Sequence, residues 1–256
     1  MQMTGNTLIV TGGGSGIGRA LAEAFHALGN QVIITGRRQE VLEETVAANP
    51  GMVSRVVDLE NAGAITEFAA QVILDFPALN AVIHNAGIMR NENLSSGALE
   101  NAEATIATNL LGPIRLNSAL LPHLLLQPRA TVMTVSSGLA FVPLALTPTY
   151  CATKAAIHSY TQSLRYQLKD TRVQVLELIP PYVQTELQGE RQANDPHAMP
   201  LAEFIAESMH ILTTSPEAFE IRVGRVEAQR NAERSGDYDA FFKIFNDAMT
   251  AARGTN

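Results

Sequence analysis

Short runs of β-branched residues alternate with longer stretches of helical period through most of the chain. Thr7, Leu8, Ile9 and Val10 predict a first strand. Beyond it Ile17, Leu21, Ala24, Phe25 and Leu28 recur on one helical face, while Arg19, Glu23 and His26 turn away. Val32, Ile33, Ile34 and Thr35 predict a second strand, followed by a helix from Gln39 to Ala48 that Asn49, Pro50 and Gly51 end. Further strands are predicted at residues 53–57, 81–84, 131–135 and 173–178, with helices near 61–75, 99–126 and 150–169. Apolar strands without strict alternation, separated by helices, predict an α/β fold with a doubly wound parallel sheet of about seven strands, helices covering both faces. No repeat, low-complexity tract or linker divides residues 1–256, so one domain is expected. Residues 188–199 are polar and rich in breakers, the pattern of a mobile loop. An amphipathic helix follows (Leu201, Phe204, Ile205, Ile211, Leu212), residues 219–223 offer a seventh strand, and residues 237–252 a docked terminal helix.

Composition narrows the partners. A hydrophobic fraction of 46% supports a sizeable core, and a net charge of −7 argues against nucleic acid or an anionic membrane surface. The single cysteine, Cys151, excludes an internal disulfide framework and a cysteine metal cluster, and suits a reducing compartment. Pro113, Arg115, Pro122 and His123 interrupt the most apolar region, so no membrane span is expected. The first ten residues lack the basic and apolar regions of a signal peptide, and the cytoplasm is the expected address.

Directly after the first strand, Thr11-Gly12-Gly13-Gly14-Ser15-Gly16-Ile17-Gly18 opens the first helix. A glycine-rich turn can be merely a turn, but between a strand and an amphipathic helix it matches a Rossmann phosphate loop. There the helix's free amides and dipole favour a pyrophosphate. No Lys-Ser or Lys-Thr follows, which excludes a nucleotide-hydrolysing loop. An acidic residue ending the second strand holds the ribose diol of NAD, but here Gly36 is followed by Arg37 and Arg38. Two guanidiniums at a helix start oppose its dipole unless they meet an anion, so NADP(H) is favoured over NAD(H).

Tyr150 and Lys154 stand four apart on a predicted helix and share a face, and Ser137 lies just beyond the fifth strand. Open α/β sheets bind their ligands at that edge. An ammonium beside a tyrosine, together with the positive ring of an oxidised nicotinamide, lowers a pKa that is otherwise about 10. Tyr150 could then pass a proton to or from a carbonyl oxygen that Ser137 holds. Taken singly, each residue also suits a surface tyrosine, a solvated lysine or a turn serine.

The chain resembles the short-chain dehydrogenases/reductases from Thr7 to about Leu187. The resemblance rests on the glycine loop, on Asn85-Ala86-Gly87, and on Ser137 thirteen residues before Tyr150-Cys151-Ala152-Thr153-Lys154. It implies that Gly12, Gly14, Ser15, Gly16, Ile17 and Gly18 bind the cofactor, and that Asp58 with Leu59 contacts its adenine end. It further implies that Asn85, Ala86 and Gly87 shape the cofactor pocket, and that Pro180, Val183 and Thr185 meet the carboxamide. Ser137 becomes the catalytic serine in preference to Ser136, Tyr150 the acid/base, and Lys154 a ligand of the nicotinamide ribose. Asn109 is similar to the asparagine that anchors a relay water beside the lysine. Pro181 and His84 depart from the family's usual glycine and asparagine. The usual Gly-Gly ending is also missing, so a homodimer is as well supported as a homotetramer. A narrower likeness to the oxidoreductases of D-alanylation (Dlt-type) operons rests on residues 137–141, on residues 150–156 with His158 and Ser159, and on Pro180-Pro181.

An NADP(H)-dependent ketone or aldehyde reductase is therefore the leading expectation, with residues 188–215 as substrate lid. Leu139, Phe141, Leu146, Tyr182, Leu187 and Met89 are expected to line an apolar substrate wall. The alternatives are a non-catalytic NADP-binding regulator and an epimerase or dehydratase on the same sheet. Cys151 is expected to be a small buried thiol, and His84, His123 and His158 to be structural. No histidine has metal-ligand spacing with a nearby carboxylate, and no catalytic metal is expected.

Overall fold

The apolar runs become seven parallel strands in the computed structural model, which describes residues 1–253; residues 254–256 of the expected domain lie outside it. The strands are β1 (Thr7–Thr11), β2 (Gln31–Gly36), β3 (Val53–Val56), β4 (Leu79–His84), β5 (Ala130–Val135), β6 (Val173–Ile179) and β7 (Glu220–Arg222). They form one sheet in the order β3-β2-β1-β4-β5-β6-β7. The long helices are α1 (Gly16–Ala27), α2 (Gln39–Ala48), α3 (Ala62–Asp75), α5 (Gly112–Leu126), α6 (Pro148–Gln167), α8 (Leu201–Thr214) and α11 (Tyr238–Arg253). Shorter ones are α4 (Glu100–Ile106), α7 (Glu190–Ala193), α9 (Glu227–Arg230) and α10 (Ala232–Ser235).

Successive strand residues point to opposite faces, and both faces are buried. Leu8, Val10, Val32 and Ile34 pack with Leu21 and Phe25 of α1 and Phe204 of α8. Ile9, Ile33, Val82 and Val132 pack with Phe68 of α3, Leu116 and Leu120 of α5, and Leu164 of α6. This two-sided burial explains why the inner strands β1, β4 and β5 do not alternate. The expected doubly wound single domain is the observed one. Strand order reverses between β1 and β4, which opens a crevice at the carboxyl ends of the strands.

Three details differ from expectation. Leu28 is 42% exposed, because it caps α1 beyond its last turn; Gly18 and Ala22 sit inside instead. The long helix expected over 99–126 is interrupted by a π-helical turn at Ala107–Leu111, which carries Asn109. The supposed mobile loop is pinned. Met199 N donates to Tyr182 O at 2.8 Å, Gln184 N donates to Met199 O at 2.8 Å, and Ala198 and Met199 are buried. A polar composition concealed those two apolar anchors.

The end of β4 holds His84, fully buried, with Nε2 donating to Asn117 Oδ1 at 2.7 Å. Its Nδ1 has no partner, and burial pushes its pKa down to about 4. A histidine buried neutral stabilises the fold above its unfolded pKa of about 6.5, and that contribution is lost as pH falls toward about 4. Between pH 7 and pH 4 the wild type should lose about 3 kcal/mol more stability than His84→Asn. Urea unfolding at both pH values measures this, and equal losses in the two proteins would count against it.

Candidate active site

Thr11, the last residue of β1, organises the loop that follows. Its Oγ1 accepts from Asn85 N and Ala86 N, both at 3.0 Å, and Asn85 Nδ2 donates back to Thr11 O at 3.0 Å. The turn after β4 is thereby tied to the glycine loop. Gly12 has φ +66°, and a Cβ there would lie 2.9 Å from Ala86 Cα. A Cβ on Gly18 would lie 2.3 Å from Gly12 O, so helix and loop can meet this closely only at glycine. Ser15 caps α1 without a side-chain hydrogen bond, which leaves the first-turn amides facing the cleft.

That cleft has a volume of about 470 Å³ and runs from the glycine loop along the strand ends to Tyr150. Every candidate site residue borders it except Gly18 and Asn109. Gly18 is buried beneath Gly12, and Asn109 stands behind Gly87. Asn109 Oδ1 accepts from Ile88 N at 2.8 Å, and its Nδ2 donates to Ile88 O at 2.9 Å. The π-helical turn thus fixes the segment after β4. At the other end Gly36 closes β2 with no carboxylate, and Arg37 and Arg38 flank the cleft. Arg37 Nη1 is 3.0 Å from Glu60 Oε1, a partner that sequence spacing does not reveal, and Arg38 Nη2 reaches Ser15 Oγ at 3.4 Å. Asp58 Oδ1 accepts from Glu60 N, which turns the chain out of β3.

Three consecutive residues at the end of β5 each hold a different polar group. Lys154 Nζ donates to Val135 O at 2.7 Å. Ser136 also borders the cleft, but its Oγ is engaged as donor to Glu177 Oε1 at 2.5 Å. Ser137 and Tyr150 border the same end of the cleft, and Ser137 Oγ accepts from Leu139 N at 3.1 Å. Tyr150 and Lys154 sit one turn apart on α6, with Nζ 5.5 Å from the phenol ring centre. Burial pushes the Tyr150 pKa up, against the lowering effect of Ser137, so the phenol holds its proton. Burial pulls Lys154 down to about 8, and the Glu177 carboxylate opposes that fall. The ammonium form still predominates at neutral pH.

Around Tyr150 an apolar wall is built from Met89, Leu139, Leu144, Leu146, Phe245 and Met249. Of the expected wall residues, Leu187 borders the main cleft, while Tyr182 borders a second cavity of about 480 Å³ and donates to Asp195 Oδ2 at 3.2 Å. Phe141 is a correction: its ring packs edge-on against His158 at 4.8 Å and under Arg230 at 4.7 Å. Sequence reasoning missed Leu144, Phe245 and Met249. The amphipathic period of α11 was visible, but the surface it docks on was not. That docking is specific. Asn246 Oδ1 accepts from Ala145 N at 2.7 Å, and its Nδ2 donates to Pro143 O at 3.0 Å.

A fold, a glycine loop and a Ser-Tyr-Lys cluster of this geometry define a nicotinamide-dependent class of oxidoreductase, and the comparisons place the chain within it. Residues 6–196 match the family model described as short chain dehydrogenase, and the protein belongs to that family. It is 37% identical over 251 residues to the uncharacterized oxidoreductase DltE of Bacillus subtilis (strain 168), covering 96% of this chain and 98% of that protein. It is also similar to a short-chain dehydrogenase of Streptomyces avermitilis, at 25% identity and a TM-score of 0.80 over 99% of this chain and 100% of that one. A short chain dehydrogenase from Burkholderia cenocepacia J2315 in complex with NADP has a TM-score of 0.77 at 25% identity, covering 98% of each chain. A Burkholderia phymatum relative in complex with NAD shares the fold at 19% identity and a TM-score of 0.80, over 94% of this chain and 96% of that one. Among the described residues no helix is long and apolar enough to cross a membrane.

Cys151, next to Tyr150, is buried; its sulfur accepts from Leu144 N at 3.2 Å, and burial pushes the thiol pKa up. Burial outweighs the Leu144 hydrogen bond, which by itself favours the thiolate, so the reactive form is suppressed. A disulfide reagent at pH 8 should label native Cys151 at least about a hundredfold more slowly than the unfolded chain. Comparable rates in the two states would show the thiol to be open.

Proposed function

We propose that this protein is an NADPH-dependent carbonyl reductase acting on ketones or aldehydes with an apolar body. The observation that carries this reading is the Tyr150–Lys154 pair on one helix face, with Ser137 bordering the same end of a dinucleotide-sized cleft. The cleft suits a dinucleotide because its floor at Gly12 has no room for a side chain, with Gly18 packed directly beneath, and uncapped α1 amides face it. The glycine loop, Asp58 with Leu59, the 85–87 turn, and Pro180, Val183 and Thr185 would hold that dinucleotide. When bound, the nicotinamide supplies or accepts the hydride.

Ser137 and Tyr150 hold the carbonyl oxygen from one side. Tyr150 passes its proton to that oxygen as negative charge builds there. The Lys154 ammonium, one turn along, stabilises the tyrosinate left behind, an effect of one to three pKa units for a close opposite charge. Asn109 keeps the 88 segment, and with it the pocket side facing Lys154, in place. The apolar wall excludes water and favours a hydrophobic substituent on the substrate. Of the residues 188–215 expected as lid, Gln192 borders the cleft and α8 packs into the core, so the lid role falls to the 188–199 segment, tied down by the Tyr182–Met199 bonds. Leu99, Ile106, Leu111 and Leu125 are exposed on α4, α5 and the turns beside them, which supports a homo-oligomer.

NADPH consumption, followed at the nicotinamide absorption band against a panel of ketones and aldehydes, tests the activity. Tyr150→Phe should lower turnover at least about a thousandfold while NADPH still binds. Binding without turnover of any carbonyl by the wild type would favour a non-catalytic regulator. The choice of dinucleotide rests on Arg37 and Arg38 facing a cleft end with no carboxylate on β2. Charge-assisted hydrogen bonds contribute about 1.5–3 kcal/mol each. Replacing both arginines by alanine should weaken NADPH about a hundredfold and NADH no more than about threefold. Equal losses in titration calorimetry would overturn the preference.

A further inference from the structure

The second cavity, about 480 Å³ in volume, adjoins the catalytic chamber. Gln192 borders both hollows, and Met249, which helps to wall in Tyr150, also lines the second. Neighbouring residues are divided between the two: Arg90 and Leu187 border the main cleft, whereas Asn91 and Gln188 border the second cavity. The chamber at Tyr150 is apolar, but the space beyond Met249 is not. Six of its lining side chains are polar: Asn91, Tyr182, Gln188, Arg191, Asp195 and His197. An alkyl group filling it would strip water from those groups and return no hydrogen bond.

The sign of the charge it would take follows from the lining. Among the described residues Asp195 is its one carboxylate, and that group is already supplied with donors. Asp195 Oδ1 accepts from His197 N at 2.8 Å, with His197 Nδ1 at 3.1 Å, and Oδ2 accepts from the Tyr182 hydroxyl at 3.2 Å. A cationic ligand would have to compete with all three. Arg191 brings a guanidinium to the same space, and its place in the chain is fixed by Gln192, which is buried. Gln192 Nε2 donates to Val183 O at 2.8 Å and to Thr185 Oγ1 at 3.1 Å, while its Oε1 accepts from Gln188 N at 3.2 Å. That clamp ties α7 to the segment after β6. Gln188 Nε2 in turn donates to Asn91 Oδ1 at 3.3 Å, which joins the segment after β4 to the same wall. Of the glutamates on this turn, Glu186 borders the main cleft and Glu190 borders neither hollow. We propose that the second cavity is a distal substrate subsite for a carboxylate, received by Arg191 with the Asn91 and Gln188 amides beside it. The inference rests on the reductase reading and narrows it to oxo acids. Their carbonyl lies at Tyr150, their apolar middle passes Phe245 and Met249, and their acid group ends at Arg191.

The test uses the full chain, NADPH and straight-chain aldehydes in three series that differ only at the far end: carboxylate, methyl ester and trimethylammonium. Lengths from about four to about ten carbons cover the reach of an extended chain across such a chamber. At the length that spans Tyr150 to Arg191, the acid should show a kcat/KM at least about tenfold above its ester, chiefly through KM. Arg191 is exposed, so its replacement leaves the core intact. Arg191→Gln should bring acid and ester within about threefold of each other, because the charge-assisted hydrogen bond is lost. Equal reduction of acid and ester at every length overturns the proposal. So does a preference for the trimethylammonium series, or an acid preference that survives Arg191→Gln. If no aldehyde of any series is reduced, the reductase reading fails and binding judges the subsite by itself. By calorimetry, the NADP+-loaded protein should then bind an alkanoate of one of these lengths at least about tenfold more tightly than the matching amide, and Arg191→Gln should erase the difference. Equal affinities for acid and amide in the wild type would dispose of the subsite without any turnover.

Discussion

The buried ammonium of Lys154 is the constraint around which the site is arranged. An amine taken out of water is costly unless acceptors and an opposing charge meet it. Here the end of β5 supplies the acceptor, the Val135 carbonyl, at a point where the parallel ladder stops and a backbone oxygen becomes available. The aromatic face of Tyr150 lies 5.5 Å away, and Gly87 passes close by, where a Cβ would crowd Asn109 Oδ1 at 3.3 Å. Because α6 packs on the sheet through Leu164 and the Thr161–Thr134 hydrogen bond, the height of the helix over the strands sets where Nζ ends up. A shift of that packing would move the lysine, the tyrosine and His158 together.

The sheet does similar work at the other end of the cleft. Thr11 ties the glycine loop to the turn after β4, so the two walls of the crevice are held by one hydroxyl. The reversal of strand order leaves the gap, and the close approach of Gly18 to Gly12 sets its depth.

Much of this was legible in the sequence because it is local. The glycine run, the four-residue spacing of Tyr150 and Lys154, and the apolar strands report on segments in which neighbours along the chain are neighbours in space. What escaped is non-local. Glu177 stands out in the strand as a lone acid among apolar residues, yet its pairing with Ser136 and His158 spans 41 and 19 positions. His158 therefore read as an isolated structural histidine. The Arg37–Glu60 pair, the turn of Phe141 toward Arg230, and the docking of α11 on residues 143–145 have the same cause. The 188–199 segment misled differently: its polar majority outweighed Ala198 and Met199, the two residues that anchor it.

Asn246 joins the last helix to a loop a hundred positions earlier, using both ends of its amide. One side of the apolar chamber is thus contributed by the final stretch of polypeptide, whereas the glycine cradle and the Ser-Tyr-Lys group are complete before residue 160. Changes confined to that helix can reshape the chamber while leaving the Ser-Tyr-Lys group untouched. Substitutions at Phe245 and Met249 would then alter which molecules fit beside Tyr150.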